Sequence, residues 1–234
     1  MADYARRDFD AHPPFRYADY RSTRLRGPKE DLVSIVQTLS ETTGPGPVWS
    51  ELAEDDADLT TNAGTGGRAI GARTIMTGRV LHEDGSPAAG TVLEIWQANS
   101  AGRYLHPSDG YDAPIDPHFI GAGQCRTDAR GVYRFTTVRP GPYPWRNHPN
   151  AWRPAHIHLS VLGPALATRL VTQVYFPDDP LQAIDPIFLS VPEHARSRLV
   201  ARYDHDVTRE MWALGYRFDI VLRGPRSTPG EAAP

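Results

Sequence analysis

Short runs of β-forming residues, each closed by a turn signal, constrain this chain more than any other feature. The runs cover residues 74–81, 91–97, 132–138, 155–162, 169–176 and 217–222. The turn sequences DGSP (84–87), DARG (128–131) and PGP (140–142) separate neighbouring runs. Many short strands with tight turns and few helices predict an all-β fold, an antiparallel sandwich or barrel.

The first 73 residues have a different texture. Residues 1–28 are polar and show no periodic apolar face, which fits either an extended arm that wraps another surface or a frayed terminus. Acidic residues followed by spaced apolar ones predict a short helix over 28–39, and residues 192–204 predict a second. We therefore divide the chain into 1–73, an arm with a short helix and a loop, and 74–234, a β-sandwich that forms one structural unit.

Charge and cysteine content exclude several classes of protein. The net charge of −3 gives no reason to expect binding to nucleic acid or to an anionic membrane. Cys125 is the single cysteine, so no intrachain disulfide can form, as is usual in a reducing cytosol. The N-terminus has no apolar signal region, and no apolar run is long enough to span a membrane. These features predict a soluble cytoplasmic protein.

A histidine pair is the first sign of chemistry. His156 and His158 lie in a run that alternates apolar and polar residues. Residues two apart on a strand share a face, so both imidazoles point the same way and could bind one metal ion. The alternative is a pair of half-buried histidines that are satisfied by the backbone.

Tyr143 offers a further ligand close to the histidine pair. It lies between Pro142 and Pro144, which stiffen its backbone at a turn. A phenolate is a hard anionic donor and suits ferric iron better than Zn²⁺. A nearby cation would also be needed to ionise it at neutral pH. The alternative is an aromatic residue that caps the sandwich.

Three segments carry a family resemblance: GRYLHPSDGYDAPIDPHF, TDARGVYRFTTVRPGPYPWRNHPNAWRPAHIHLSVLGPALATRLVTQVYF and YRFDIVLRG. They resemble the intradiol ring-cleavage dioxygenases, specifically the iron-carrying β chains of the protocatechuate-cleaving branch. The similarity runs from about residue 19 to residue 226. The resemblance implies a transthyretin-like sandwich that binds one non-haem ferric ion per chain. The implied ligands are Tyr104 in GRY, Tyr143 in GPYPW, and His156 and His158 in HIH.

The resemblance also implies catalytic and substrate-binding residues. Tyr143 would leave the metal when substrate binds and act as a base. Arg153 would stabilise negative charge on the substrate or on a reaction intermediate. The implied substrate-binding residues are Tyr20, Arg26, Trp145, Gln173 and Ile187. On the residues alone, Arg153 could be a surface arginine and Tyr20, Trp145 and Ile187 ordinary packing residues. Trp96 is expected in the core.

The function implied is the O₂-dependent cleavage of protocatechuate between its hydroxyl-bearing carbons, giving 3-carboxy-cis,cis-muconate in aromatic catabolism. The resemblance further implies a homologous α subunit whose N-terminal residues complete the pocket, so segment 1–73 would pack on that partner. Two alternatives remain open. One is a catechol or hydroxyquinol 1,2-dioxygenase, although those relatives carry a longer helical N-terminal segment. The other is a non-enzymatic prealbumin-like binding module, which GRVLHEDGSPAAGTVLEI also resembles.

Overall fold

The computed structural model describes residues 10–23, 29–30, 54–162 and 170–230. The strands within these ranges are β1 Arg73–Leu81, β2 Val92–Trp96, β3 Ala122–Arg126, β4 Val132–Val138, β5 Tyr143–Pro144, β6 Trp152–Arg153, β7 His156–Leu162, β8 Leu170–Tyr175, β9 Arg202–Tyr203, β10 Leu214–Arg217 and β11 Ile220–Val221. The α-helices in the described part are α1 Pro186–Ser190 and α2 Glu193–Arg196. Single 3₁₀ turns cover Arg21–Thr23, Glu54–Ala57, Pro180–Ala183 and Ser197–Leu199.

The two main sheets form a sandwich around one apolar core. One sheet has the strand order β3-β2-β7-β8, and the other has the order β11-β1-β10-β9 with β4 also paired to β1. Met76 and Phe135 of the second sheet share a buried cluster with Leu93, Ile157 and other residues of the first. Burial of this apolar surface drives the two sheets together. The predicted all-β sandwich is confirmed.

Strand direction is antiparallel in most pairs but not in all. Strands β10 and β11 both pair with β1 in the parallel direction. Both strands pair with β1 in the same register, since Thr77 lies opposite Arg217 and Val80 lies opposite Ile220. Between them, the Asp219 side chain accepts a hydrogen bond from the Arg79 backbone N–H at 2.9 Å. The single run expected over 217–222 is therefore two short strands.

Strand β3 is not among the strands predicted from the sequence. Its sequence, AGQCR, has a glycine, and its apolar side chains, Ala122 and Cys125, are small, so it lacks the usual strand signature. It forms because β2 offers an open edge. The backbone of β3 pairs with this edge along Val92–Trp96 of β2. Pairing with a neighbour thus overrides weak local preference.

The helix expected over 192–204 is wrong in its second half. Helix α2 ends at Arg196, a 3₁₀ turn follows, and the chain then enters β9 at Arg202. The Ala201 N–H donates to the Tyr175 carbonyl at 2.9 Å, which pulls this segment onto the edge of β8. The helix expected over 28–39 lies almost wholly outside the described residues. None of the described helices is long and apolar enough to cross a membrane.

Candidate metal centre

The histidine pair lies on β7, a central strand of its sheet. This strand has β2 on one side and β8 on the other, so its backbone is held from both edges. The apolar side chains of Ile157 and Leu159 are fully buried in the core. His156 and His158 take the alternate positions, and their ring centroids lie 4.8 Å apart. The alternation read from the sequence thus places two imidazoles side by side.

The proton of His156 is fixed by its hydrogen bond to the backbone. Its Nδ1 lies 2.6 Å from the Pro154 carbonyl oxygen, which can only accept, so Nδ1 carries the proton. Burial lowers the pKa of His156 well below its usual value, and the positive charge of Arg153 and the proximity of the His158 ring lower it further. The ring is therefore neutral at pH 7 and presents its Nε2 lone pair to Tyr143, whose Oη lies 3.3 Å away. This is the arrangement of a metal-binding histidine.

Trp96 supports the second histidine. Its ring stacks on the His158 ring with centroids 4.8 Å apart and planes 9° apart. Trp96 lies opposite His158 in the β2–β7 pairing and is only half-buried. The expectation that Trp96 belongs to the core is wrong, because the alternation of β2 turns its side chain to the histidine face.

The two tyrosines complete a cluster of four rings. Tyr143 packs edge-on against Tyr104 with centroids 5.4 Å apart, and its ring lies 5.5 Å from that of His156. Tyr143 comes from the short strand β5, whereas Tyr104 lies in the loop after β2. The four residues named from the sequence are thus brought together, although they come from three separate segments.

Two glycines let the tyrosine-bearing segments cross at close range. Gly102 has a φ of +81°, and a Cβ there would lie 2.1 Å from the Pro142 carbonyl oxygen. A Cβ at Gly141 would lie 2.6 Å from the Gly102 nitrogen. Both glycine N–H groups donate to the Asn99 carbonyl oxygen. Both backbone segments need a glycine where they cross. The crossing determines how closely Tyr104 approaches Tyr143.

The loop that carries Tyr104 is folded around a carboxylate. Asp109 accepts hydrogen bonds from the backbone N–H groups of Tyr104, at 2.8 Å, and Tyr111, at 2.9 Å. The Tyr111 ring packs edge-on against Trp152 rather than joining the four-ring cluster. This geometry separates the two tyrosines of the loop into different environments.

The donor atoms of the cluster fit a hard trivalent ion. Within the described ranges, no group of three or more His, Cys, Asp or Glu side chains could hold a metal ion. A metal ion bound by His156 and His158 would therefore take its other protein ligands from other residue types, and two phenol oxygens are the adjacent candidates. Two phenolates with two neutral imidazoles form a hard, partly anionic donor set, which suits Fe³⁺ better than Zn²⁺.

Arg153 is buried beside the cluster and not on the surface. It lies opposite Tyr143 in the β5–β6 hairpin and is 3% exposed. Its Nε and Nη2 donate to Asp185 at 3.1–3.2 Å, and Nη2 also donates to the side chains of Gln173 and Tyr175. Burial alone would lower the pKa of Arg153, but Asp185 and the nearby tyrosines outweigh it and the pKa lies well above its usual value. The guanidinium is a permanent buried cation.

The other residues predicted to bind substrate lie near Arg153 or next to the histidine strand β7, except for one outside the described residues. The Trp145 ring is 5.5 Å from the Arg153 guanidinium carbon and 5.3 Å from the Tyr20 ring. Gln173 lies opposite His158 across β7 and β8, and with Ile187 it lines a small cavity. Arg26 lies outside the described residues.

An asparagine anchors the described part of the arm. The Asn147 side chain donates to the Asp19 carbonyl at 2.8 Å and accepts from the Ser22 N–H at 3.1 Å, so it brackets Tyr20. This places Tyr20 over Trp145 on the chain's own hairpin. Sequence reasoning missed Asn147, and it also missed Asp185, although Asp before Pro at 185–186 is a recognisable helix-start signal.

Two side chains keep donor groups that could meet a ligand. Among the described residues, the hydrogen bonds of Arg153 use Nε and Nη2 and leave Nη1. The Trp145 Nε1 is buried and meets no acceptor in the same part of the chain. The buried Trp145 N–H without a partner costs free energy, which an acceptor on a ligand would recover.

Comparisons with known proteins agree with this geometry. A family model described as "Dioxygenase" matches residues 45–224, and one described as "Protocatechuate 3,4-dioxygenase beta subunit N terminal" matches residues 5–38. The chain is 53% identical over 225 residues to the protocatechuate 3,4-dioxygenase beta chain of Burkholderia cepacia, covering 96% of each. It is 30% identical over 204 residues to the alpha chain from that organism, covering 84% of this chain and 98% of the other.

The solved structure of 3-chlorocatechol 1,2-dioxygenase from Rhodococcus opacus 1CP supports the fold. It superimposes with a TM-score of 0.55 at 23% identity over 73% of this chain. The match covers 66% of that chain, slightly less than two thirds of its length. The sandwich fold is thus shared with a ring-cleaving dioxygenase. This chain belongs to the intradiol dioxygenase family.

Proposed function

We propose that this chain is the iron-carrying β subunit of a cytoplasmic enzyme that cleaves protocatechuate with O₂ to 3-carboxy-cis,cis-muconate. The observation that carries the proposal is the cluster of two tyrosines and two histidines beside a buried arginine. The names of the two Burkholderia cepacia chains supply the substrate. The resemblance supplies the regiochemistry.

Tyr104, Tyr143, His156 and His158 would hold one ferric ion per chain. Fe³⁺, when bound, draws electron density from a chelated catecholate and makes it reactive toward O₂. Two tyrosinates cancel two of its three charges, so the site stays only weakly cationic before substrate arrives. The neutral His156, with Nδ1 already bonded to Pro154, needs no proton loss to serve as a ligand.

Tyr143 is the ligand best placed to move a proton. Its Oη lies at the end of a side chain on a hairpin strand of two residues, whereas the histidines lie on a strand paired on both sides. Leaving the metal frees its phenolate oxygen to take a proton from a substrate hydroxyl. Tyr143 would thus take one of the two protons that a neutral diol loses when it binds as a dianion, and a hydroxide ion from solvent would take the other.

Arg153 and Trp145 would meet the charge that develops on substrate oxygens. The guanidinium is held by Asp185 and keeps Nη1 for an oxyanion, and Trp145 adds its indole N–H. Burial makes these fixed donors more effective than they would be in water. Gln173 and Ile187 would line the pocket, and Gln173 additionally orients the guanidinium.

The substrate carboxylate would be met by the N-terminal arm. A carboxylate removed from water needs a partner, and Tyr20 over Trp145 is a candidate together with Arg26. We propose that segment 1–73 also packs on a homologous α subunit, while 74–234 forms the catalytic unit. The similarity of this chain to both beta and alpha chains of one organism supports such a pair.

The test is to purify the chain alone and together with its α partner. We expect a reddish protein with about one iron per chain, since tyrosinate-to-iron charge transfer absorbs visible light. Protocatechuate should be consumed faster than catechol or hydroxyquinol, and the product should be 3-carboxy-cis,cis-muconate. A protein that stays colourless and inactive after ferric loading under air would contradict the metal assignment. A homo-oligomer with full activity would contradict the need for an α subunit.

A further inference from the structure

Asp185 is a buried carboxylate that the sequence reading did not include. Its side chain is 0% exposed and forms an ion pair with Arg153 at 3.1 Å. One of its oxygens also accepts a hydrogen bond from the Tyr175 hydroxyl at 3.3 Å. Gln173 accepts from the same hydroxyl and from the same guanidinium. Every group of this buried set therefore restrains the orientation of Arg153.

Asp185 also fixes the position of a helix. It is the N-cap of α1, and its Oδ1 accepts from the Ile187 backbone N–H at 3.2 Å. Pro186 occupies the first helical position, where its fixed φ favours the helix start. One carboxylate thus joins the guanidinium of Arg153 to the helix that carries Ile187.

This contact decides which edge of the guanidinium faces a ligand. Arg153 has a planar fork of donors, and Asp185 occupies Nε and Nη2 on one side. Nη1 is left on the other side, and the residue lies opposite Tyr143 in the hairpin. Without Asp185, the guanidinium could rotate and present a different edge.

We propose that Asp185 is a positioning residue for the ring-cleavage reaction, acting through Arg153. It holds the guanidinium so that Nη1 is preorganised toward the substrate oxygens, and it touches neither substrate nor metal. This inference rests on the proposed function. A misplacement of about 1 Å in such a group can cost on the order of 100-fold in rate.

Asp179 provides a matched control six residues earlier. It too precedes a proline and caps a helical turn, accepting from the Leu181 N–H at 3.0 Å. Its other oxygen accepts from the Ala155 N–H at 2.9 Å, and so it also supports the start of β7. Asp179 therefore shares the capping role and the proline of Asp185, but its partners are backbone groups.

The experiment compares Asp185→Asn with Asp179→Asn in the iron-loaded enzyme with its α partner. Asparagine still caps a helix, so both variants keep that role. We expect Asp185→Asn to keep its iron and its visible band, to change KM little, and to lose about 100-fold in kcat. Asp179→Asn should keep kcat within a few fold of the wild type. Equal kcat values for Asp185→Asn and the wild type would overturn the inference, whereas a wild type without ring-cleaving activity would refute the proposed function instead.

A second comparison covers the case in which Asp185→Asn does not fold. Arg153→Ala leaves a space in which added guanidinium can pair with Asp185, and Arg153→Ala/Asp185→Asn removes both charges. Millimolar guanidinium should raise the Tm and restore part of kcat in the single variant, but not in the double variant. Sodium chloride at equal ionic strength is the control. Equal rescue of both variants would show that Asp185 does not hold the guanidinium.

Discussion

The histidine side and the tyrosine side of the candidate metal centre are built in different ways. His156 and His158 stand two residues apart on β7, which is paired along both edges. Tyr104 and Tyr143 come from a loop and a short hairpin strand that meet at a glycine crossing. The histidines are held by regular hydrogen bonding, whereas the tyrosines depend on a few irregular backbone contacts.

This contrast suits a site in which one ligand must leave. Ligands on a central strand keep their geometry, because moving them would break sheet hydrogen bonds and expose core residues. A ligand on a hairpin of two-residue strands can swing away at smaller cost. The proposed division between rigid and displaceable ligands therefore agrees with the elements that carry the four residues.

The largest effect is expected on the histidine side. His156→Ala and His158→Ala should each lose most of the bound iron, because each removes one of the four proposed ligands and opens the site to water. Activity should fall by more than about 100-fold, the upper range for losing even an outer partner of a metal ligand. Iron per chain and the visible spectrum provide the measurements. A variant that retained full iron would remove that histidine from the ligand set.

Tyr143→Phe should separate iron binding from catalysis. The variant should retain part of its iron through the remaining ligands, but kcat should fall by roughly 10²–10⁴, the usual contribution of a general base. Tyr111→Phe is the matched control, since its ring faces Trp152 instead of the cluster. Iron content and single-turnover kinetics measure the two effects separately. Normal turnover in Tyr143→Phe would exclude it as the leaving ligand.

Gly102→Ala should disturb the tyrosine side and leave the histidine side intact. A Cβ at Gly102 would collide with the Pro142 carbonyl, and the φ of +81° adds backbone strain of about 1 kcal/mol. We expect weaker iron binding and a shifted tyrosinate band with the fold preserved. Gly110→Ala is the control, because a Cβ there meets no atom within 4 Å. Identical spectra for both variants would mean that the crossing does not set the position of Tyr104.

The smallest effect concerns the pH dependence of the iron-free protein. Burial holds the pKa of His156 well below its usual value, so only the unfolded chain takes up this proton near pH 6. The contribution of His156 to the free energy of unfolding should be fully present above about pH 6.5. Below that pH it should fall by up to about 1.4 kcal/mol per pH unit, until the pKa of His156 in the folded protein is reached. Urea unfolding of the wild type and His156→Gln at a series of pH values measures this. Parallel curves would contradict a neutral buried His156.

Most of the longer strands of both sheets, including the one that carries the histidines, could be predicted from local pattern. Strand β4 matches its predicted range, and β1, β2, β7 and β8 lie within a residue or two of theirs. Strand alternation also predicted that His156 and His158 share a face. These features are short-range, since they depend on the period of a strand and on the turn residues that end it.

The sequence by itself determined the β-sandwich and the histidine pair, and the family resemblance pointed to the two tyrosines. Only the tertiary structure decided the glycine crossing that joins Tyr104 to Tyr143, the stacking of Trp96 on His158, and the pairing of Arg153 with Asp185. The physical reason is separation along the chain. Asp185 lies 32 residues from Arg153, and no local periodicity relates them. Their contact exists because the sandwich brings both into a buried space where a charge requires a partner.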